Sequence, residues 1–215
     1  MNNQKLRLGL ATVTNDASMA LMLDDQVVSL FGEKRQIMDD YIVVIDRLFE
    51  GKGFDIKDLQ EIIVVNGPGG YAGIRSSVTI AKTLSYVFGF PIKTVSSVEL
   101  LAYQARLFKG LILVAMSSRR DEVNFGVFGS DGKKLNDILS NSTISIDMLI
   151  SKTKQIEGDF LIVGDIDVTK LSVDLQDKFR YFTPSSIEAI RLAESKEVQP
   201  LEYVNPIYAY PVNIG

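Results

Sequence analysis

IIVVNGPGGYAGIRSSVTIAKTLSYVFGFPIKTVSSVE, residues Ile62 to Glu99, is the stretch that decides the fold. A short apolar run, Ile62 to Val65, reads as a buried strand. A glycine-rich turn follows, then apolar residues at helical spacing to about Phe88. Pro91 to Val95 is a second strand. Ser96-Ser97-Val98-Glu99 has the form of a capping box, in which a hydroxyl takes up a free helix amide while the Glu reaches back. The order is strand, loop, helix, strand, helix.

Working outward, LRLGLAT and ASMALML upstream are two strands joined by a short turn, and QVVSLF is a third after Asp24-Asp25. The spacing predicts a helix over Ile37 to Phe49. The second half repeats the plan. LILVAM, EVNFGVFG, the turn SDGK and a weak third strand come first, then a helix over Ile144 to Lys154. FLIVGD matches IIVVNG, Asp167 to Asp177 reads as a shorter helix, and Phe179 to Phe182 as a strand. Ser185-Ser186-Ile187-Glu188 repeats the capping box. Two lobes, 1–108 and 109–215, are expected, each β-β-β-α-β-α-β-α, with the last residues returning to the first lobe. This is the α/β plan of the duplicated actin-like, ribonuclease H-like folds, including sugar kinases and Hsp70-type ATPases, and a plan alone does not assign an activity.

Composition narrows the chemistry. The 215 residues are 46% hydrophobic and 23% charged, as a folded chain requires. Lys and Arg number 23 against 27 Asp and Glu, so no basic stripe is available for solo binding of nucleic acid. The tight basic pair Arg119-Arg120 is followed at once by Asp121-Glu122. The absence of cysteine and histidine excludes disulfides, thiol chemistry, a His general base and His-ligated zinc. No bilayer-spanning run and no signal-peptide core are present, which gives the expectation of a cytoplasmic protein without membrane contact.

The glycine loop fails two phosphate-binding tests. A Walker loop needs G-x-x-x-x-G-K-S/T, and no Gly-Lys falls at that offset. Gly67 to Ala72 matches G-x-G-x-x-A, yet the next strand lacks the acid a dinucleotide site requires. Its amides could still attract an anion weakly. The plainer reading of Gly67, Pro68, Gly69, Gly70 and Gly73 is a tight turn that lets strand and helix approach. An actin-like ATPase or ribonuclease H-like nuclease also needs an acid at the end of each lobe's first strand. Here those positions read Ala11-Thr12 and Ser117-Ser118.

Both flanking helices carry more apolar surface than one buried face uses. Either each helix is sandwiched inside its own domain, or one stripe packs on the sheet and the other on a partner, giving a four-helix contact in a two-fold homodimer. The residues assigned to that face are Ile37, Tyr41, Ile45, Ile74, Val78 and Ala81. Arg75 is read as a structural or interfacial ion-pair residue, not a catalytic group.

These residues resemble one family. The segment from Asn66 to Gln104 is similar to the signature of the bacterial tRNA threonylcarbamoyladenosine biosynthesis protein TsaB (YeaZ) family, which carries G-P-G-S-F-T-G-L/V-R, a helix, a proline-led strand and V-S-S-L-E-A-L-A. Gly67, Pro68, Gly69, Gly73 and Arg75 match, and Gly70, Tyr71 and Ala72 depart. LGLATVTNDASMALM resembles the family's first hairpin with Ala11 in place of Asp. SSRRDEVNFGVF resembles D-A-R-R-x-E-V-Y-x-A-x-F, with Ser117 for Asp and Asn124 for Tyr. Pro206-Ile207-Tyr208 resembles the terminal P-x-Y-L-R without its Arg.

The resemblance implies an actin-like fold and a non-catalytic scaffold role in threonylcarbamoylation of the tRNA adenosine next to the anticodon. It implies pairing with the catalytic paralogue TsaD, which holds the metal, and with the ATPase TsaE. It also implies a homodimer when the chain is alone, tRNA contact only through the complex, and no metal or cofactor in this chain beyond an open question of nucleotide at a partner interface. Two other readings stand beside it: an actin-like ATPase or phosphotransferase using Asp16 or Asp121, and a homodimeric interaction protein with another partner.

Overall fold

The computed structural model describes residues 4–32 and 40–210. The first repeat runs β1 (Leu6–Ala11), β2 (Ser18–Leu23), β3 (Gln26–Phe31), α1 (Tyr41–Phe49), β4 (Glu61–Gly67), α2 (Tyr71–Phe88), β5 (Ile92–Ser96) and α3 (Ser97–Gln104). The second runs β6 (Lys109–Ser117), β7 (Glu122–Asp131), β8 (Leu135–Ser145), α4 (Ile146–Thr153), β9 (Phe160–Gly164), α5 (Val173–Gln176), β10 (Phe179–Tyr181) and α6 (Ser186–Leu192). Each repeat forms a five-stranded sheet, ordered β3-β2-β1-β4-β5 and β8-β7-β6-β9-β10. In both sheets the first three strands are antiparallel and the last two join in parallel. The duplicated α/β plan expected from the sequence is the observed one.

The central strands explain the apolar runs. β1 and β4 are buried along their whole lengths, as strands covered on both faces must be. β3 and β8 lie at sheet edges and are largely exposed. By compactness the chain divides into 1–97 with 184–207, and 98–183 with 208–215. The first unit counts α6, which lies on β1, β2 and β4. Gly9 permits this approach: a Cβ there would sit 2.7 Å from the Ser186 carbonyl oxygen. The second unit has its own core, in which Phe125, Leu149, Ile162, Ile166 and Leu175 meet.

Three ion pairs, each with at least one buried partner, tie the first unit. Glu61 pairs with Lys5 and with Lys93, both at 3.2 Å, and Lys93 Nζ also donates to the Ala193 carbonyl at 3.0 Å. Arg7, inside β1, pairs with Glu194 at 2.9 Å and donates to the Asp24 carbonyl.

Local structure departs from the sequence expectation at several points. The helix expected from Ile37 is described from Tyr41 onward, and residues 37–39 lie outside the described residues. The third strand of the second repeat is not weak but 11 residues long, because β7 supplies its hydrogen bonds while its own side chains stay in solvent. Residues Ile144 and Ser145 end that strand, so the next helix starts at Ile146, capped by the Ser145 hydroxyl. The region Asp167 to Asp177 splits into a 3-10 turn, Val168–Lys170, and the one-turn helix α5. Of the two capping motifs, Ser185 accepts from the Glu188 amide at 3.4 Å. In the first, Ser97 turns its hydroxyl to the Pro68 carbonyl and so fastens the glycine loop instead.

Candidate functional site

The glycine loop connects β4 to α2 and is closed by the end of β1. Gly70 N–H donates to the Val13 carbonyl at 2.6 Å, so that amide is committed. A Cβ on Gly69 would lie 2.3 Å from the Val13 carbonyl oxygen, and one on Gly73 would lie 1.9 Å from that of Thr12. The glycines are therefore required for backbone-to-backbone contact. Gly67 has φ +112, and its missing Cβ makes room for the Ile207 carbonyl. Ile207 N–H donates to the Asn66 carbonyl at 2.7 Å, and the Asn66 side-chain amide donates to the Asn205 carbonyl at 2.9 Å. Pro68, joined to Gly67 by a cis peptide, offers its carbonyl to Ser97.

A hydrogen-bond chain ties this loop to α1. Tyr41 donates to Thr12 Oγ1 at 2.8 Å, and Thr12 donates to the Gly73 carbonyl at 3.0 Å. Burial pushes the Tyr41 phenol up from its ordinary value, and the bond to Thr12 acts the other way. Arg75 lies on the exposed side of α2, where it donates to the Tyr71 hydroxyl at 2.8 Å and stacks on that ring. It is thus held one turn back on its own helix.

The described residues assigned to a partner face pack within the first unit. Tyr41, Ile45, Ile74, Val78 and Ala81 are only 0–7% exposed, covered by their own unit, and Ile37 lies outside the described residues. The assigned residues lie on the sheet-facing side of each helix, while the solvent side is mixed, with Asp46 and Arg47 on α1 and Arg75, Thr79 and Thr83 on α2. Exposed apolar side chains remain at Ile42 and Val43 on α1 and at Tyr86, Val87 and Phe88 at the end of α2. Residues of α1 (Ile42, Ile45, Phe49), Phe54 and Ile56 beyond it, and Leu84 of α2 line one hollow of about 640 Å³. Asp46, Glu50 and Asp55 also line it, making the hollow apolar with an acidic margin.

The first-strand ends carry no carboxylate of their own. Ala11 is buried and Thr12 is used as described. In the second repeat Asp165, at the end of β9, bonds Ser117: the Ser117 amide donates to Asp165 Oδ1 at 2.6 Å, and its hydroxyl to the Asp165 carbonyl at 3.1 Å. Sequence reading missed this contact, although the match of FLIVGD to IIVVNG placed Asp165 beside that strand end. Asp121 is exposed and paired with Lys170 at 2.8 Å, whose hydrogen bond and charge hold its carboxyl below the usual range. Asp16 is exposed in the β1–β2 turn and its carbonyl accepts from Thr14. Among the described residues no group of three or more acidic side chains converges as a metal site would need. No described helix is long and apolar enough to cross a membrane.

The model of a protein family described as "TsaD: tRNA N6-adenosine threonylcarbamoyltransferase" matches residues 34–198. The tRNA threonylcarbamoyladenosine biosynthesis protein TsaB of Bacillus subtilis is 34% identical over 108 residues, 50% of this chain and 47% of that protein. The match thus spans about half the length of that relative. The protein of the same name from Buchnera aphidicola is 27% identical over 162 residues, 74% of this chain and 77% of its own. YeaZ from Pseudomonas aeruginosa shares the fold with a TM-score of 0.74 at 17% identity, over 95% of this chain and 99% of that one. A second crystal structure, of an uncharacterized protein with similarity to peptidase YEAZ from Pseudomonas aeruginosa, shares it at 0.78 and 18%, over 96% of this chain and 100% of that one. The chain belongs to the family that the TsaD model describes, and within it to the TsaB (YeaZ) group.

Proposed function

We propose that this chain is a partner subunit in the threonylcarbamoylation of tRNA adenosine, acting beside a TsaD-type catalytic paralogue and a TsaE-type ATPase without chemistry of its own. One observation carries the reading: α1 and α2 each bury an apolar stripe and still leave large apolar side chains in solvent, with Ile42 at 66%, Tyr86 at 83% and Val87 at 62% exposure. Side chains of this size grouped on neighbouring helices mark a surface that another protein covers. The hollow between them would take an apolar anchor, and its acidic margin favours a partner carrying Lys or Arg beside that anchor. Alone, the chain would close the same face on a second copy.

Two further features support a non-catalytic role. The strand ends where an actin-like ATPase places its carboxylates hold Ala11-Thr12 and Ser117, and the Gly70 amide is spent on Val13. The test is a drop-out reconstitution with the cognate TsaD and TsaE counterparts, tRNA and threonylcarbamoyl-adenylate. Modified nucleoside should form only when this chain is present, and the chain alone should form none. Modification at an unchanged rate without it would end the subunit reading.

A further inference from the structure

Asn66 and Gly67 form the single Asn-Gly dipeptide of the chain. In such a pair no side chain shields the glycine nitrogen from the asparagine Cγ, so this is the dipeptide in which asparagine most readily loses its amide. Here the second residue is fixed by the fold. Gly67 has φ +112, and a Cβ on it would lie 2.2 Å from the Ile207 carbonyl oxygen. The first residue is engaged by the same C-terminal segment. The Asn66 side-chain amide donates to the Asn205 carbonyl at 2.9 Å, and the Asn66 carbonyl accepts from the Ile207 N–H at 2.7 Å. Asn66 is 6% exposed, and Val204, just before the segment, is wholly buried.

These contacts hold the reacting atoms apart. Ring closure needs the Asn66 side chain to fold over its own peptide plane toward the Gly67 nitrogen, with the backbone out of its extended form. That side chain is held by Asn205, and the backbone belongs to β4, which pairs Gly67 with Ser96 of β5. The strap from Asn205 to Ile207 has to lift before the chemistry starts. The rate in the folded chain is then the intrinsic rate scaled by the population of that local opening.

We propose that Asn66-Gly67 is a deamidation site that the C-terminal strap holds inactive, and that the reaction, once it occurs, releases the strap irreversibly. The Gly67 nitrogen bonds to Asn66 Cγ as the Cγ–Nδ2 bond breaks, and the amide leaves as ammonia with the proton from the Gly67 N–H. Water, the only co-reactant, then opens the cyclic imide at one of its two carbonyls, giving aspartate or an isoaspartate whose main chain runs through Cγ. Either product ends the clamp. Aspartate sets a carboxylate against the Asn205 carbonyl, two acceptors with no donor between them, in a buried place. Isoaspartate adds a carbon to the main chain and displaces the carbonyl that the Ile207 N–H uses. This device is independent of the partner-subunit reading.

The test ages the purified full chain in mildly alkaline buffer, native and in guanidinium chloride, and reads the gain of about 1 Da at Asn66 by peptide mass mapping. Deamidation should be about a hundredfold slower in the native chain than in denaturant. Ile207→Pro removes the N–H that holds the strap and should raise the native rate about tenfold. Parent deamidated in denaturant is then refolded and separated by anion exchange, and hydrogen exchange is read on it and on Asn66→Asp. In both, the Ile207 amide should exchange about tenfold faster than in the parent, while the amides of β1 keep the parent's protection. That contrast separates release of the strap from loss of the fold, and either protein serves if the other does not fold. Equal rates in native buffer and denaturant would overturn the proposal. So would an unchanged rate in folded Ile207→Pro, or parent-like protection of Ile207 in the deamidated chain. None of these outcomes bears on the drop-out reconstitution, so the two readings fail separately.

Discussion

The Tyr41 hydroxyl and Thr12 Oγ1 lie 2.8 Å apart, and through this bond α1 is fastened to the end of β1 and onward to the first turn of α2. Tyr41→Phe removes one buried hydrogen bond and should cost about 1 kcal/mol in urea unfolding. Thr12→Val leaves the phenol without its acceptor and should cost more, about 1–3 kcal/mol. The pH dependence follows from the raised phenol. The unfolded tyrosine ionises near its ordinary 10.0, and the folded one higher. Its contribution is therefore complete below that value and is lost as pH rises toward the folded pKa. The stability gap between parent and Tyr41→Phe should narrow at alkaline pH, measured by unfolding of the two side by side.

Gly73→Ala tests the loop. In an ordinary helix alanine is favoured over glycine by about 1 kcal/mol. Here the added carbon would lie 1.9 Å from the Thr12 carbonyl oxygen, which is backbone and cannot step aside cheaply. The sign should reverse, with a loss of about 2 kcal/mol or more. A thermal melt equal to the parent's would show that β1 and α2 are not so close.

Glu61 sits between Lys5 and Lys93 with almost no exposure. Glu61→Gln should cost about 3–5 kcal/mol because Lys93 is left charged and unpaired in a buried place. Replacing the pair together, Glu61→Leu with Lys93→Met, should recover most of that loss. Denaturant titration of the three proteins decides it.

Ile45→Asp and Val78→Asp, substitutions that would break pairing if their stripe faced a partner, should instead unfold the first unit, each burying a carboxylate at a cost of about 3 kcal/mol or more. Ile42→Asp and Val87→Asp should leave the melting curve within about 0.5 kcal/mol of the parent. They should weaken association at least tenfold, about 1.4 kcal/mol, by light scattering or titration against the partner. Folded, fully associating Ile42→Asp and Val87→Asp proteins would remove this face from the account.

The element order was legible because β1, β4, β6 and β9 are built around apolar runs and each repeat places its turns at the same points. β8 was not, since its edge position leaves most of its residues in solvent and only β7 fixes it as a strand. The stripe on α1 was illegible for a different reason. Val44 and Ile42 are equally apolar, and only the sheet beneath decides that Val44 is buried and Ile42 is not. The Arg119–Tyr210 contact joins residues 91 positions apart, 119 to 210, so the arginine pair could be seen in the sequence but its stacking partner could not.

The most direct measurement is the yield of threonylcarbamoylated tRNA in the reconstituted reaction with the parent chain, with no chain, and with the Ile42→Asp/Val87→Asp double variant. The account predicts full modification in the first case and background in the other two, with the variant still folded. Full modification without the chain would contradict the partner role, and full modification with the folded double variant would contradict the face assigned to it.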